Sequence, residues 1–326
     1  MLRHMLYYYY ASFILFWCFL CSSGPVPHPY TQMQKLSSIS DFKSFGNGMM
    51  GNTVLLREIL GEISLKYPET RDAMHHHISF CYETEHSLVL SGGRDMKPET
   101  PFGKVVSIFN SNETYRVRTA DCDLAKYDVV VQYSMANVRN IELSGKFSPL
   151  LLKKMVYVPP LEYEYSPLHL NSRNMAPITT FNDPSQPRRK ALLQRLNENG
   201  IGVINRNHIH GADEMKALYD STAILINVHQ TPHHHTLEEF RVLPALLRGV
   251  VVICENSPLV EAIPYSTFLV WSSIENLPSK VLEVMSNYDV YFNQFFGSQS
   301  DLPRVLEQMR HTAYDNMEQR VLDLLM

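Results

Sequence analysis

A chain of 326 residues with 45% apolar and 11% aromatic side chains carries enough apolar surface to bury a core, which excludes both a disulfide-stapled miniprotein and a disordered polar chain. At roughly 150 residues per domain, the length allows two domains or one large α/β domain with additions. Charged residues make up only 19% and the net charge is −4, which argues against a nucleic-acid binder, whose affinity rests on clustered cations.

The chain opens on Met5 to Cys21, seventeen residues without a charge, preceded by Arg3 and His4 and closed by Ser22-Ser23-Gly24-Pro25. As a helix rising about 1.5 Å per residue, the run reaches about 25 Å, the short end of what spans a bilayer. Residues 1–24 are therefore expected to form an N-terminal hydrophobic helix, either an uncleaved signal anchor or a cleaved signal peptide. The run exceeds the usual signal-peptide core and lacks a clean small-x-small cleavage site. Tyr7 to Tyr10, followed by Phe and Trp, suit a membrane interface. The rest of the chain is expected on the lumenal side, with membrane contact through residues 5–21. Asn112-Glu113-Thr114 is a glycosylation acceptor motif. Cys81 and Cys122 offer at most one bridge.

Residues 25–35 are proline-rich and read as a stalk. A first α/β region, 36–160, comes next, with helical spacing over Thr53 to Ile63 and strands at Val105 to Phe109 and Tyr127 to Tyr133. Ile78 to Cys81 and Ser87 to Leu90 are weaker strands. Met155 to Pro167 is extended and marks the crossing to a second region, 161–300. There strand, loop and helix repeat: strand Pro177 to Phe181, helix Pro187 to Asn199, strand Ile201 to Ile204, helix Ala212 to Tyr219, strand Ala223 to Val228. Helix Leu237 to Leu247, strand Val250 to Cys254, strand Thr267 to Trp271 and helix Leu277 to Met285 complete it. Continuous apolar strands alternating with helices predict a doubly wound parallel sheet. A last helix is expected over about 303–326, within a segment, 301–326, that packs back on the first region.

Ligands of such sheets sit at the carboxyl ends of the strands, and the loops there are polar and histidine-rich. Arg188, Arg189 and Lys190 fall in the first turn of their helix, where cations oppose the helix dipole unless an anion neutralises them. They read as a phosphate clamp or a solvated basic face. Thr236-Leu-Glu-Glu239 has capping-box spacing, in which Thr236 caps the helix and Glu239 returns to the Thr236 backbone. Glu238 is then left to accept bonds from two vicinal ribose hydroxyls, with Arg241 on the same helical face. His229 and His233 to His235 suit a site that receives phosphates better than a zinc site, whose ligands rarely come from three consecutive loop residues. His75 to His77 read as an exposed run. Gly46-Asn-Gly48-Met-Met-Gly51 has the spacing of a dinucleotide loop, but Ser37 to Lys43 before it is too polar for the buried strand that loop requires. Gly46, Gly48 and Gly51 are kept as a cleft loop.

Taken together, Pro187-Arg-Arg189, Leu192 to Leu196, Asn199 to Val203, Ala223 to His229, Glu238 to Val242, Pro244 to Gly249 and Val250 to Glu255 resemble the donor domain of GT-B-fold glycosyltransferases. The likeness covers residues 176–285, about a third of the chain. It is nearest to a group with an Arg-Arg helix start, an Asn-x-His strand end and a Glu-x-x-Arg helix. The resemblance implies two Rossmann-like domains facing a cleft and a metal-independent transfer from a nucleotide-sugar co-substrate, without other cofactor, to a glycan or glycoconjugate acceptor. Arg188 or Arg189 would meet the diphosphate, His229 and the loop to Thr236 would border the sugar-phosphate, and Glu238, supported by Arg241, would hold the ribose. The pattern of two glutamates eight positions apart is absent, since Thr236 and Pro244 stand in those places, so the stereochemical course stays open. With the N-terminal run, the resemblance implies a single-pass type II membrane protein of the Golgi or ER lumen, or a secreted protein if the run is cleaved. The alternatives are a nicotinamide-dependent oxidoreductase using the Gly46 to Gly51 loop, and a non-catalytic nucleotide- or sugar-binding protein.

Overall fold

The computed structural model describes residues 54–68, 128–144, 148–167, 173–181, 187–207, 209, 211–229 and 237–325, with the backbone of strands at 34–36, 80–83, 88–92, 105–107 and 113–117. The fold is α/β with parallel sheets. In the first half run β1 (Gln34–Leu36), α1 (Val54–Lys66), β2 (Phe80–Glu83), β3 (Leu88–Gly92), β4 (Val105–Ser107), β5 (Glu113–Val117), β6 (Val129–Gln132), α2 (Met135–Ser144), α3 (Pro149–Leu152) and β7 (Met155–Tyr157). β2, β6 and β7 pair in parallel, β1 adds to β2 antiparallel, and β3, β5 and β4 form a separate antiparallel sheet.

The second half runs through β8 (Ile178–Thr179), α4 (Pro187–Glu198), β9 (Ile204–Asn205), α5 (Ala212–Ser221), β10 (Ile224–Asn227), α6 (Glu239–Leu247), β11 (Val251–Glu255), β12 (Val270–Ser272), α7 (Leu277–Ser286), α8 (Tyr288–Phe296) and α9 (Leu302–Leu325). Its five strands are all parallel, in the order β9-β8-β10-β11-β12. The order reverses between β8 and β10, and the chain leaves those two strands in opposite directions across the sheet. The carboxyl ends at such a reversal are the place where open parallel sheets bind ligands. β10 and β11 are buried along their whole length, as strands covered on both faces must be.

Two helices end in the same way. At the end of α4, the Ile201 amide donates to the Leu196 carbonyl and the Gly200 amide to the Asn197 carbonyl, both at 2.9 Å. At the end of α6, the Val250 amide donates to Ala245 at 3.0 Å and the Gly249 amide to Leu246 at 2.9 Å. Both turns need a left-handed residue, and Gly200 (φ 76°) and Gly249 (φ 74°) supply it. The α4 turn also explains a shift from the expected strand 201–204: Ile201 is spent closing the helix, so β9 begins only at Ile204. The expected strand from Thr267 is likewise corrected. Ser266–Phe268 is a short 3-10 turn whose Ser266 carbonyl accepts the Trp271 indole N–H at 2.9 Å, and β12 starts at Val270.

The C-terminal helix returns to the first half. Leu306, Met309, Ala313, Met317 and Val321 of α9 are buried at helical spacing, as are Leu55, Leu56, Ile59, Leu60 and Ile63 of α1. Fully burying one such aliphatic side chain stabilises by about 1.5–3 kcal/mol, so these stripes dominate the packing. The rim pairs Arg310–Glu58 and Lys66–Glu318, both 2.7 Å, are exposed and add under about 1 kcal/mol each. They fix direction instead: 58 to 66 runs alongside 310 to 318, so the helices are parallel.

The expected placement as a single-pass type II protein of the Golgi or ER lumen is corrected, because among the described residues no helix is long and apolar enough to cross a membrane. The apolar run 5–21, the Gly46, Gly48 and Gly51 loop, His75 to His77, Asn112 and Cys122 lie outside the described residues.

A Cβ at position 200 would meet nothing within 4 Å, so Gly200→Ala adds no clash and isolates the backbone term. Denaturant unfolding is expected to show a loss of about 1 kcal/mol, with Gly200→Asn losing less.

Candidate functional site

The candidate site lies just past the carboxyl ends of β8 and β10. β8 leads to α4, whose first turn carries Arg188 and Arg189; β10 ends on Asn227 and leads to His229; β11 ends on Glu255; and α6 begins behind them with Glu238 as its N-cap. Parallel register brings these ends level, with Asn227 opposite Cys254, one residue before Glu255.

Arg188 forms a two-pronged pair with Glu255: Nη1 donates to Oε2 at 2.9 Å and Nη2 donates to Oε1. Its Nη1 also donates to the His229 carbonyl at 2.9 Å, while the His229 amide donates to Glu255 Oε2 at 3.1 Å. The His229 Nε2 lies 3.3 Å from the Asn256 carbonyl oxygen. Glu255 thus holds both a side chain and a backbone expected to meet phosphate, a role that sequence reading did not give it. Its position directly after the apolar run of β11 was the available signal.

Arg189 is turned inward. Its Nη2 donates to the Val228 carbonyl at 3.0 Å and lies 3.5 Å from Glu238 Oε1, and its guanidinium stacks 4.7 Å from the centre of the Phe181 ring. Glu238 is only 4% exposed. Its Oε2 accepts the Asn227 amide N–H at 3.0 Å and its Oε1 lies 3.7 Å from Arg241. Burial, and after it the neighbouring Arg241 cation, lower the Arg189 guanidinium to about 10. The anions that offset the cationic start of α4 are therefore carboxylates of this chain, whereas Lys190 is exposed. Even so, the group counts three guanidiniums, Arg188, Arg189 and Arg241, against two carboxylates, Glu238 and Glu255. A surplus of positive charge at a helix start favours an anionic ligand.

The structure brings together five of the expected residues, Arg188, Arg189, His229, Glu238 and Arg241. Thr236 and the loop 230–236 lie outside the described residues.

The capping box is corrected. Glu238 occupies the N-cap and makes no side-chain cap bond, and the Glu239 carboxylate reaches away from its own helix. Its Oε1 accepts the Met135 amide N–H, at the start of α2, at 2.8 Å, and its Oε2 accepts the Tyr157 hydroxyl, at the end of β7, at 2.9 Å. The Ser134 and Tyr265 hydroxyls face the same carboxylate. A buried carboxylate must be solvated by protein donors, and a helix start offers them at short range with a favourable dipole, so these distant partners outcompete the local one.

No family model matches the chain. It is similar to an uncharacterized protein of Acanthamoeba polyphaga mimivirus, with 28% identity over 173 residues, a stretch that is 51% of this chain and 56% of the viral protein. The chain thus matches a little over half the length of that relative, whose name assigns no activity.

Burial outweighs the hydrogen bonds to Glu239 and raises its pKa from 4.5 to about 7. The folded state then holds this proton more tightly than the unfolded chain, so the group's contribution to stability is full below pH 4.5 and is lost as pH rises through 7. Glu239→Gln carries no such proton, and urea unfolding across that window is expected to show a flatter stability profile than the wild type.

Proposed function

We propose that the protein is a glycosyltransferase that moves a sugar from a nucleotide-sugar donor to an acceptor glycan, protein or lipid. In this reading the two parallel sheets are the cores of two Rossmann-like domains in a GT-B arrangement, and the donor lies at the carboxyl edge of the five-stranded sheet. The observation that carries the reading is the largely buried cluster of Arg188, Arg189, His229, Glu238 and Arg241 at the point where the strand order reverses, with its surplus of positive charge. It matches the order of residues on which the likeness to nucleotide-sugar donor domains rests.

The roles follow from charge and geometry. Arg188 has a planar fork suited to phosphate oxygens, and Glu255 fills that fork. A diphosphate takes over the fork, and the start of α4 adds its backbone amides. Glu238, at the start of α6, accepts the ribose hydroxyls, with Arg241 and Arg189 holding the carboxylate in place. In the transfer, an acceptor oxygen bonds to the anomeric carbon as that carbon's bond to the diphosphate oxygen breaks. The departing diphosphate keeps the electron pair, the proton of the acceptor hydroxyl passes to water, and the guanidiniums stabilise the charge that develops on the diphosphate.

Thermal-shift titration of the full chain with UDP, GDP and ADP tests this. At about 100 times its Kd a bound nucleotide stabilises by about 2.7 kcal/mol, so at least one of the three is expected to raise Tm clearly. Glu238→Gln, which keeps the volume and removes the charge, is expected to weaken that nucleotide by about tenfold, or ~1.4 kcal/mol. Unchanged affinity in this variant removes Glu238 from the site, and no shift with any nucleoside diphosphate or its sugars removes the donor site itself.

A further inference from the structure

Glu238 and Glu239 are adjacent in sequence, both are buried, and their carboxylates serve different parts of the fold. Glu238 faces Arg189, Arg241 and Asn227 at the edge of the five-stranded sheet. Glu239 accepts from Met135, which follows β6, and from Tyr157 in β7, both belonging to the other parallel sheet. The next residue, Phe240, extends the junction by stacking on Tyr133, with ring centres 3.7 Å apart and planes at 16°. Tyr133 directly follows Gln132, the last residue of β6, so the junction sits at the carboxyl edge of the first sheet. Gln132 is itself fully buried, with neither amide atom hydrogen-bonded. Buried polar groups are nearly always satisfied, so an unused amide marks an edge with hydrogen-bonding capacity to spare.

We propose that Glu239 is a positioning residue: by tying the start of α6 to the start of α2, it holds the carboxyl edge of the first sheet, where the acceptor binds, in register with the donor cluster around Glu238. The acceptor's place in this statement rests on the transferase reading; the tie between the two sheets does not. Transfer needs the acceptor oxygen and the anomeric carbon within a few tenths of an ångström of the reactive geometry, and each lies on a different sheet. A tie at the base of the donor helix sets their separation without touching either substrate.

The test uses the full chain as wild type, Glu239→Ala, Glu239→Gln and Tyr157→Phe, with UDP as the nucleotide probe. UDP affinity is read by calorimetry, turnover with UDP-sugars by UDP release, and amide exchange over 133–140 and over 251–255. Glu239→Ala is expected to leave UDP affinity and donor KM within about threefold while kcat falls by about 100-fold, the loss a misplacement near 1 Å produces. Exchange over 133–140 is expected to rise by about tenfold, as loss of one buried hydrogen bond allows, with 251–255 unchanged. Glu239→Gln, whose carbonyl oxygen still accepts from Met135, restores most of kcat, and Tyr157→Phe falls between the two. The proposal is overturned if Glu239→Ala alters neither kcat nor exchange. It is equally overturned if exchange rises throughout and UDP affinity falls in parallel with kcat, since Glu239 is then a core residue only. Should wild type bind neither UDP nor its sugars, the transferase reading fails for that nucleotide, and the exchange pattern alone decides the tie: a rise confined to 133–140 upholds it and no rise sinks it.

Discussion

Two consecutive carboxylates buried at the start of one helix impose the constraint around which the rest of this molecule is arranged. An isolated buried carboxylate costs several kcal/mol, so each of Glu238 and Glu239 has to be met by donors or cations, and neighbours on one helix turn cannot share the same set. The two are met from different directions. Arg189, Arg241 and Asn227 converge on Glu238 from the five-stranded sheet and its helices, and Met135 at the start of α2 and Tyr157 of the four-stranded sheet converge on Glu239. Because α6 carries both, the chemistry of one sheet edge and the docking of the other are set by a single helix end.

That helix is held at its other end as well. Just past the C-terminus of α6, Arg173 donates from Nη1 to the Gly249 carbonyl at 2.6 Å and from Nη2 to the carbonyl of the C-cap Arg248. A cation at a helix C-terminus complements the dipole that the carboxylates complement at the N-terminus. Arg248 is in turn pinned by Asp220 of α5 at 2.6 Å. Pro244 lies inside the helix without breaking it and is buried. In a helix of nine residues its lost amide belongs to the second turn, and burial of its ring offsets part of the missing bond.

The sequence of the second half was legible where structure follows local rules. Buried parallel strands read as continuous apolar runs, and Gly200 and Gly249 mark helix ends through a conformation that only glycine adopts readily. What local rules mislead on is a residue whose partner is distant. Thr236-Leu-Glu-Glu239 has the spacing of a capping box, yet the partner of Glu239 is Met135, 104 positions earlier, and no window along the chain holds both. The same separation hid α2. The first amide of the helix Met135 to Ser144 is satisfied by that distant carboxylate. The aromatic helix Tyr288–Phe296 is amphipathic: Tyr288, Phe292, Phe295 and Phe296 are buried, with Tyr288 stacked on Phe292 and Phe296 tilted against it, while Asp289, Asn293 and Gln294 are exposed.

The candidate site was legible in membership and not in pairing. Residue type and position at the strand ends selected Arg188, Arg189, His229, Glu238 and Arg241, because a doubly wound topology fixes where a ligand edge lies. Spacing alone pairs Glu238 with Arg241, and that contact exists at 3.7 Å, but the nearer cation to the same oxygen is Arg189 at 3.5 Å, which comes from another helix. Arg188, one position away, points to Glu255 instead. Adjacent residues on a helix diverge by about 100°, so an Arg-Arg pair at a helix start necessarily addresses two partners. One guanidinium is drawn inward to brace the carboxylate of α6. The other stays half-buried at the sheet edge, paired with Glu255. The Arg-Arg start of this helix is therefore two devices, a buried brace and a half-buried fork, and only burial tells them apart.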